Sequence, residues 1–145
     1  MKVSTRGRYA LRLMLDLALQ GDEKPTQIKE IAKRQEISLK YLEQIISILN
    51  KAGFVKSVRG PQGGYFLKKA PEEYTVGMIL RLTEGELIPV SCAGEEQHCE
   101  RFGQCGTSEV WRRLNEAING VVDSITLADI IRWQREKNSN FDFII

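Results

Sequence analysis

A chain of 145 residues, 42% hydrophobic and 28% charged, has the make-up of a soluble protein of one domain, or of a small domain with an extension. No apolar run approaches the roughly 20 residues that a membrane-crossing helix needs, so the sequence argues for no membrane partner. The formal charge of +2 hides an asymmetry: residues 1–70 hold 14 Lys and Arg against 6 Asp and Glu, whereas residues 71–145 hold 7 against 13. A basic first half suits a polyanionic partner and an acidic second half does not, so the two halves have different tasks.

Along the chain, Ser4 or Thr5 can cap a first helix whose Tyr9, Leu13 and Leu17, with Leu11, Met14, Leu15 and Ala18, make a wide apolar face ending near Gly21. After a charged turn, Thr26 is expected to cap a second helix carrying Ile28, Ile31 and Ala32 inward and stopping near Glu36. Ser38 caps a third, in which Leu39, Leu42, Ile45, Ile46 and Leu49 recur at helical spacing up to Gly53. Helix, short turn and helix make a helix-turn-helix. Two strand-like runs follow, Phe54–Val58 and Tyr65–Leu67, joined by Arg59-Gly-Pro-Gln-Gly-Gly64, whose glycines and proline make a tight exposed tip, a wing. Pro71 and Thr75 introduce a short helix through Met78, Ile79 and Leu82. From about Ser108 a longer helix carries Val110, Trp111, Leu114, Ala117, Ile118, Val121, Val122 and Ile125 as a stripe for which one small domain has little core left. Thr126-Leu-Ala-Asp129 is a capping box that opens a last helix, and Phe141–Ile145 is a short apolar tail.

The third helix has its outward N-terminal residues in Ser38, Lys40, Tyr41, Glu43 and Gln44. Lys40 can reach a guanine edge or a phosphate, Gln44 can pair with adenine, and Ser38 and Tyr41 can donate to phosphate oxygens. Arg59, with Gly60 and Pro61 at the tip, can enter a narrow minor groove. Glu43 repels phosphate and accepts only from amino groups such as that of cytosine, so it either discriminates between sites or pairs with Lys40 or Lys51. For each residue a merely solvated polar face competes with DNA contact; the capped helices and the basic wing in sequence favour DNA.

All three cysteines fall within fourteen positions, Cys92, Cys99 and Cys105, among glycines and charges that leave thiolates accessible. Such donors suit a soft metal or an iron-sulfur cluster. Their odd number and the lack of a secretory signal point to a reducing compartment, the cytoplasm. No nucleophile–base arrangement and no phosphate-binding glycine fingerprint appears, which argues against an enzyme.

With these segments in view, Arg6-Gly-Arg-Tyr-Ala10, Ile37-Ser-Leu-Lys-Tyr-Leu-Glu-Gln44, Val58-Arg-Gly-Pro-Gln-Gly-Gly-Tyr65, the cysteine loop and Ile125-Thr-Leu-Ala-Asp129, the chain resembles, nearly end to end, the IscR-type iron-sulfur regulators of bacteria. That winged-helix family also includes the nitric-oxide sensor NsrR and the cysteine-metabolism repressor CymR. The resemblance implies a homodimer joined through the helix after the cysteines, with Val110, Trp111, Leu114, Ile118, Val121, Val122 and Ile125 at the interface. It implies a [2Fe–2S] cluster in each loop and a palindromic DNA site read by paired winged helices. CymR-like members lack the cysteine trio. NsrR-like clusters can take a carboxylate from the first helix, where this chain has Arg8, which cannot ligate iron. IscR-type proteins have a histidine three residues past the last cysteine, where this chain has Ser108, so the fourth ligand stays open between Ser108, His98, nearby carboxylates (Glu95, Glu96, Glu109) and a partner-chain residue.

The expected fold is mainly α: a winged helix-turn-helix DNA-binding region (1–70), a short helix and linker (71–91), a cysteine-bearing loop (92–107), and a long dimerisation helix with a C-terminal helix (108–145). The expected function is a regulator, a repressor in the first instance, that senses cluster status and controls cluster-biogenesis genes. The alternatives are a zinc-stabilised regulator, a [4Fe–4S] protein, and a nitric-oxide or redox sensor of the NsrR type.

Overall fold

A computed structural model describes residues 2–93 and 99–144, with side chains described up to Asn140. Its elements are α1 (Thr5–Gln20), α2 (Ile28–Gln35), α3 (Leu39–Lys51), β1 (Val55–Val58), β2 (Gly64–Leu67), α4 (Val76–Glu84), α5 (Ser108–Ser124) and α6 (Leu127–Ile144). The mainly helical fold with a two-stranded wing is the one the sequence pattern implies.

Local chemistry sets most helix starts. Ser4 Oγ accepts from the Gly7 N–H at 3.3 Å, Ser38 Oγ from Tyr41 N–H at 3.2 Å, and Thr75 Oγ1 from Met78 N–H at 3.1 Å. Each bond satisfies an amide that the first turn would otherwise leave unpaired. Thr126 and Asp129 form the expected reciprocal box: Asp129 N–H donates to Thr126 Oγ1 at 3.2 Å and Thr126 N–H to Asp129 Oδ2 at 2.9 Å.

The start of α2 departs from expectation. Gln27, not Thr26, stands at the cap position and makes no side-chain cap bond. Thr26 is buried and extended, and exchanges both main-chain bonds with Tyr65, donating at 3.0 Å and accepting at 2.8 Å. A β-branched residue suits such a bridge, and its backbone extends the wing by one residue from a third segment.

One core runs through the chain. Ala10, Leu13, Met14 and Leu17 of α1 meet Ile31 of α2, Leu42, Ile45, Ile46 and Leu49 of α3, and Val55 of β1. Tyr74, Ile79 of α4 and Leu127 of α6 join the same cluster, so residues beyond the wing complete it. Tyr74 keeps its hydroxyl satisfied while buried, donating to the Phe54 carbonyl at 2.7 Å and accepting from Lys69 N–H at 3.1 Å. Burial raises its pKa above the ordinary phenol value by disfavouring the phenolate. Asp16 is buried on α1 and takes Arg34 Nη2 at 2.7 Å and Gln35 Nε2 at 2.9 Å, which locks α1 to the end of α2.

A second, smaller cluster seats α5. Val76, Leu80 and Leu87 are buried beneath Ile118, Val122 and Ile125. These three members of the apolar stripe therefore pack within the chain, whereas Val110, Leu114 and Val121 are 50%, 43% and 57% exposed. The α4–α5 joint is polar at its edge: Arg81 donates to both carboxylate oxygens of Asp123 at 2.6 and 2.9 Å and to Asn119 Oδ1 at 2.6 Å. The turn into α6 is pinned by paired backbone bonds, Val76 N–H to the Ile125 carbonyl at 2.9 Å and Leu127 N–H to the Tyr74 carbonyl at 3.0 Å. Beyond it α6 carries the chain as helix to Ile144, taking in most of the apolar tail. Among the described residues no helix is long and apolar enough to cross a membrane.

Two outcomes follow. Leu127→Ala should lower unfolding free energy by about 2–5 kcal/mol in urea titrations, the cost of a cavity in a fully covered site; a loss under about 1 kcal/mol would place α6 outside the core. Arg81 holds the Asp123 pKa below the ordinary carboxylate value, chiefly through its hydrogen bonds. A depressed folded-state pKa contributes stability above the unfolded value of about 4 that is lost as pH falls through the folded value. Wild type should therefore lose more stability than Asp123→Asn on acidification below about pH 4, and equal losses would show that the joint contributes none.

Candidate functional site

With Leu42, Ile45, Ile46 and Leu49 of α3 turned to the core, the opposite face presents Ser38, Lys40, Glu43, Gln44 and Ser47 to solvent. Tyr41 is half-buried at the edge of this face, its ring set edge-on against Tyr9 of α1 with centroids 5.7 Å apart and planes at 77°. The Arg12 guanidinium lies 5.4 Å from the Tyr9 centroid and bonds to Gln35 at the end of α2, so the aromatic pair is fixed from two helices. Glu43 meets no cation among the described residues, and the pairing with Lys40 or Lys51 is not formed. Leu39, placed in the core by its spacing, is 40% exposed because the first turn overhangs the hydrophobic cluster.

The strands pair antiparallel in register Val55↔Leu67 to Val58↔Gly64, leaving a tip of Arg59, Gly60, Pro61, Gln62 and Gly63. Arg59, Gly60 and Pro61 are exposed, and Arg59 has no hydrogen-bond or ionic partner among the described residues. The tip is tightly folded: Gly63 N–H donates to the Gly60 carbonyl at 2.9 Å, and a Cβ at Gly63 would lie 2.0 Å from the Val58 oxygen. Gln27 Nε2 donates to the Pro61 carbonyl at 3.3 Å and ties the tip to the start of α2. The sequence reading missed Gln27, whose partner lies 34 residues away. Helix face and wing thus stand on one frame with free donors Lys40, Gln44 and Arg59, residue types whose side chains are suited to phosphates and base edges.

The cysteines lie on the chain between α4 and α5. All three are free thiols: Cys92 is half-buried in a 3₁₀ turn (Ser91–Ala93), Cys99 is exposed, and Cys105 is half-buried just after another (Phe102–Gln104). The Thr107 hydroxyl, 3.0 Å from Cys105 Sγ, and the backbone N–H groups of Ser108 and Thr107 hold the Cys105 pKa below the ordinary thiol value. Ser108 spends its hydroxyl on the Cys105 carbonyl at 2.6 Å. Glu109 is taken by Arg112 at 2.6 Å and Arg113 at 3.0 Å, which hold its pKa down to about 2. His98, Glu95 and Glu96 lie outside the described residues. Three disulfide-free sulfurs are the right donor chemistry for iron or zinc. Among the described residues no three His, Cys, Asp or Glu side chains converge on one point, so the trio is near in sequence without being gathered.

The fold and this face define a winged-helix DNA-binding protein. Residues 3–133 match the Rrf2 family, described as iron-dependent transcriptional regulator, and the chain belongs to that family. It is a DNA-binding transcription regulator and not an enzyme. It is 42% identical over 134 residues to the HTH-type transcriptional regulator IscR of Serratia proteamaculans, covering 92% of this chain and 81% of that protein. To the HTH-type transcriptional regulator CymR of Bacillus subtilis it is 40% identical over 145 residues, the whole of both chains. The solved structure of T. potens IscR superposes with a TM-score of 0.78 at 44% identity, covering 94% of this chain and 90% of that one. Likeness to IscR and to CymR is thus equal in size, and it establishes the family without choosing between them.

Gly63→Ala, whose Cβ meets main-chain atoms of Val58 and Gly60, should distort the tip and weaken binding to a specific duplex by about tenfold, the scale of losing one base contact worth roughly 1–3 kcal/mol, while circular dichroism shows the helices retained. Full affinity in this variant would show that the tip makes no contact.

Proposed function

We propose that this regulator acts as a homodimer holding an iron-sulfur cluster, [2Fe–2S] in the first instance, at Cys92, Cys99 and Cys105, and that cluster status sets its choice of DNA, including cluster-biogenesis promoters. The observation that carries this reading is the set of three free thiols on the segment joining the helix-turn-helix core to α5. A bound cluster would supply a redox-active, oxidant-sensitive iron centre. The protein's own residues do the rest: Cys92 attaches the site to the end of α4, and Cys105, with its pKa held down, attaches it to the start of α5.

The exposed residues Val110, Leu114 and Val121, with Trp111 beside them, pack against the same face of a second copy as an isologous contact. Ile118, Val122 and Ile125 support that face from within the chain. Two copies then present paired α3 helices to a palindromic site, with half-sites about one helical turn, roughly 34 Å, apart. Gln44 and Arg59 read bases, Lys40 supplies charge, and Ser38 and Tyr41 donate to phosphates. Glu43, lacking a cation, penalises sites that offer it no amino group.

A second reading, a regulator without a cluster as in the CymR branch, is favoured by one observation, that the described residues do not gather the three thiols. Zinc on the same thiols is a third possibility that colour separates, because a zinc protein is colourless. Anaerobic purification with visible and EPR spectra should show a brown chromophore that Cys92→Ala, Cys99→Ala or Cys105→Ala each abolishes while helical content is retained. A triple variant that keeps wild-type iron and sulfide overturns the assignment. In sedimentation, Val121→Glu should convert dimer to monomer, and a monomeric wild type at micromolar concentration would refute the α5 interface.

A further inference from the structure

The start of α1 and the end of α4 meet at a contact that DNA recognition, as read above, leaves unused. Glu84 Oε1 accepts from the Ser4 main-chain N–H at 2.9 Å and from the Ser4 hydroxyl at 2.5 Å, and Ser4 Oγ in turn accepts from Gly7 N–H at 3.3 Å. The first turn of α1 has no acidic residue of its own, so Glu84 is the carboxylate that meets the positive end of that helix. Gly7 makes the approach possible: a Cβ there would stand 2.3 Å from Glu84 Oε1. Glycine is a poor helix former, and this close contact accounts for its place in the first turn.

The contact borders the recognition helix. Ser4, Thr5, Arg6, Tyr41, Thr83 and Glu84 line one open cleft, so Glu84 and the first turn of α3 face each other across it. The cleft's charged groups are Arg6 and Glu84, with Ser4 bonding only to the latter. Tyr9, one turn along α1 from Ser4, is the ring on which Tyr41 rests, and Lys40 adjoins Tyr41. A shift of the first turn of α1 therefore moves the support of Tyr41.

We propose that Glu84 is a positioning residue for operator recognition: by holding Ser4 and seating over Gly7 it fixes the first turn of α1, and through the Tyr9–Tyr41 pair it sets the first turn of α3 against DNA. This rests on the reading that α3 faces the operator. Glu84 is also the last residue of α4, followed by Gly85 and by the buried Leu87 on the way to Cys92.

Fluorescence anisotropy with an operator duplex and a scrambled duplex at one salt concentration tests it, with circular dichroism confirming the fold of each variant. Glu84→Ala should weaken operator binding about five- to tenfold and leave scrambled DNA unaffected. Glu84→Gln should retain affinity, because its amide oxygen accepts the same two bonds. Gly7→Ala should weaken operator binding like Glu84→Ala although alanine is the better helix former. In a Tyr41→Ala background, Glu84→Ala should add less than about twofold, the mark of two residues acting through one another. An equal Glu84→Ala effect in both backgrounds, or none in either, overturns the inference alone. If Tyr41→Ala, Lys40→Ala and Gln44→Ala all leave operator affinity unchanged, the reading of α3 and this inference fall together.

Discussion

Helix α1 is apolar around so much of its circumference that no single neighbour can cover it, and the architecture follows from that. Ala10, Leu13, Met14 and Leu17 are shielded by α2 and α3 on one side and by α4 with Leu127 of α6 on another. The helix-turn-helix, α4 and the start of α6 therefore share one hydrophobic cluster, while α5 is seated on the second. Asp16 adds direction to a contact that apolar packing alone leaves free to slide. A buried carboxylate is costly unless its lone pairs are matched, and Arg34 with Gln35 matches them in one orientation of α2 on α1. The hydrogen bonds that Arg34 donates to Asp16 also raise the Arg34 pKa above its ordinary value, which keeps the guanidinium charged.

From that frame the two functional regions are placed by opposite means. The face of α3 is held from behind, by four buried aliphatics and the Tyr9–Tyr41 contact, which leaves its polar residues unpaired and available. The wing is held from its side, by Thr26 and Gln27 gripping β2 and the tip. The segment bearing the cysteines is anchored at its ends: Leu87 is buried against α5, and Ser108 closes the start of α5 onto Cys105. A ligand there alters DNA choice only by favouring one arrangement of those anchors over another, since equal affinity for both shifts nothing.

What was legible in the sequence is what short-range chemistry decides. Ser4, Ser38, Thr75 and the Thr126–Asp129 box bond to groups three residues away, so their roles can be read from spacing. The glycine-rich tip was legible as a turn for the same reason. Thr26 misled because the bond that claims it comes from Tyr65, and nothing in the local sequence distinguishes a cap from a one-residue bridge. Leu39 misled because helical spacing identifies a face without saying where the core beneath it ends. The stripe on α5 was legible as apolar, but its division between Ile118 and Val122, turned inward, and Val110, Leu114 and Val121, left exposed, depends on where α4 lies. The Asp16–Arg34 and Ser4–Glu84 contacts join residues 18 and 80 positions apart, beyond the reach of any periodicity.

The same division explains why likeness to IscR and to CymR can be equal. The core, the face of α3, the wing and the α4–α5 joint make one cooperative unit, and 40–42% identity over 92–100% of the chain is enough to preserve it. None of the three cysteines is a member of either buried cluster, although the turn carrying Cys92 packs on α5, and among the described residues Cys105 bonds to Thr107 and Ser108 at the start of α5. Thiols can therefore be present or absent there without disturbing the packing that defines the family. Function lives in such grafted sites more than in the fold that carries them. Within this family, then, the fold carries the reading of DNA, and under the proposed function it is the chemistry between α4 and α5 that sets what the reading responds to.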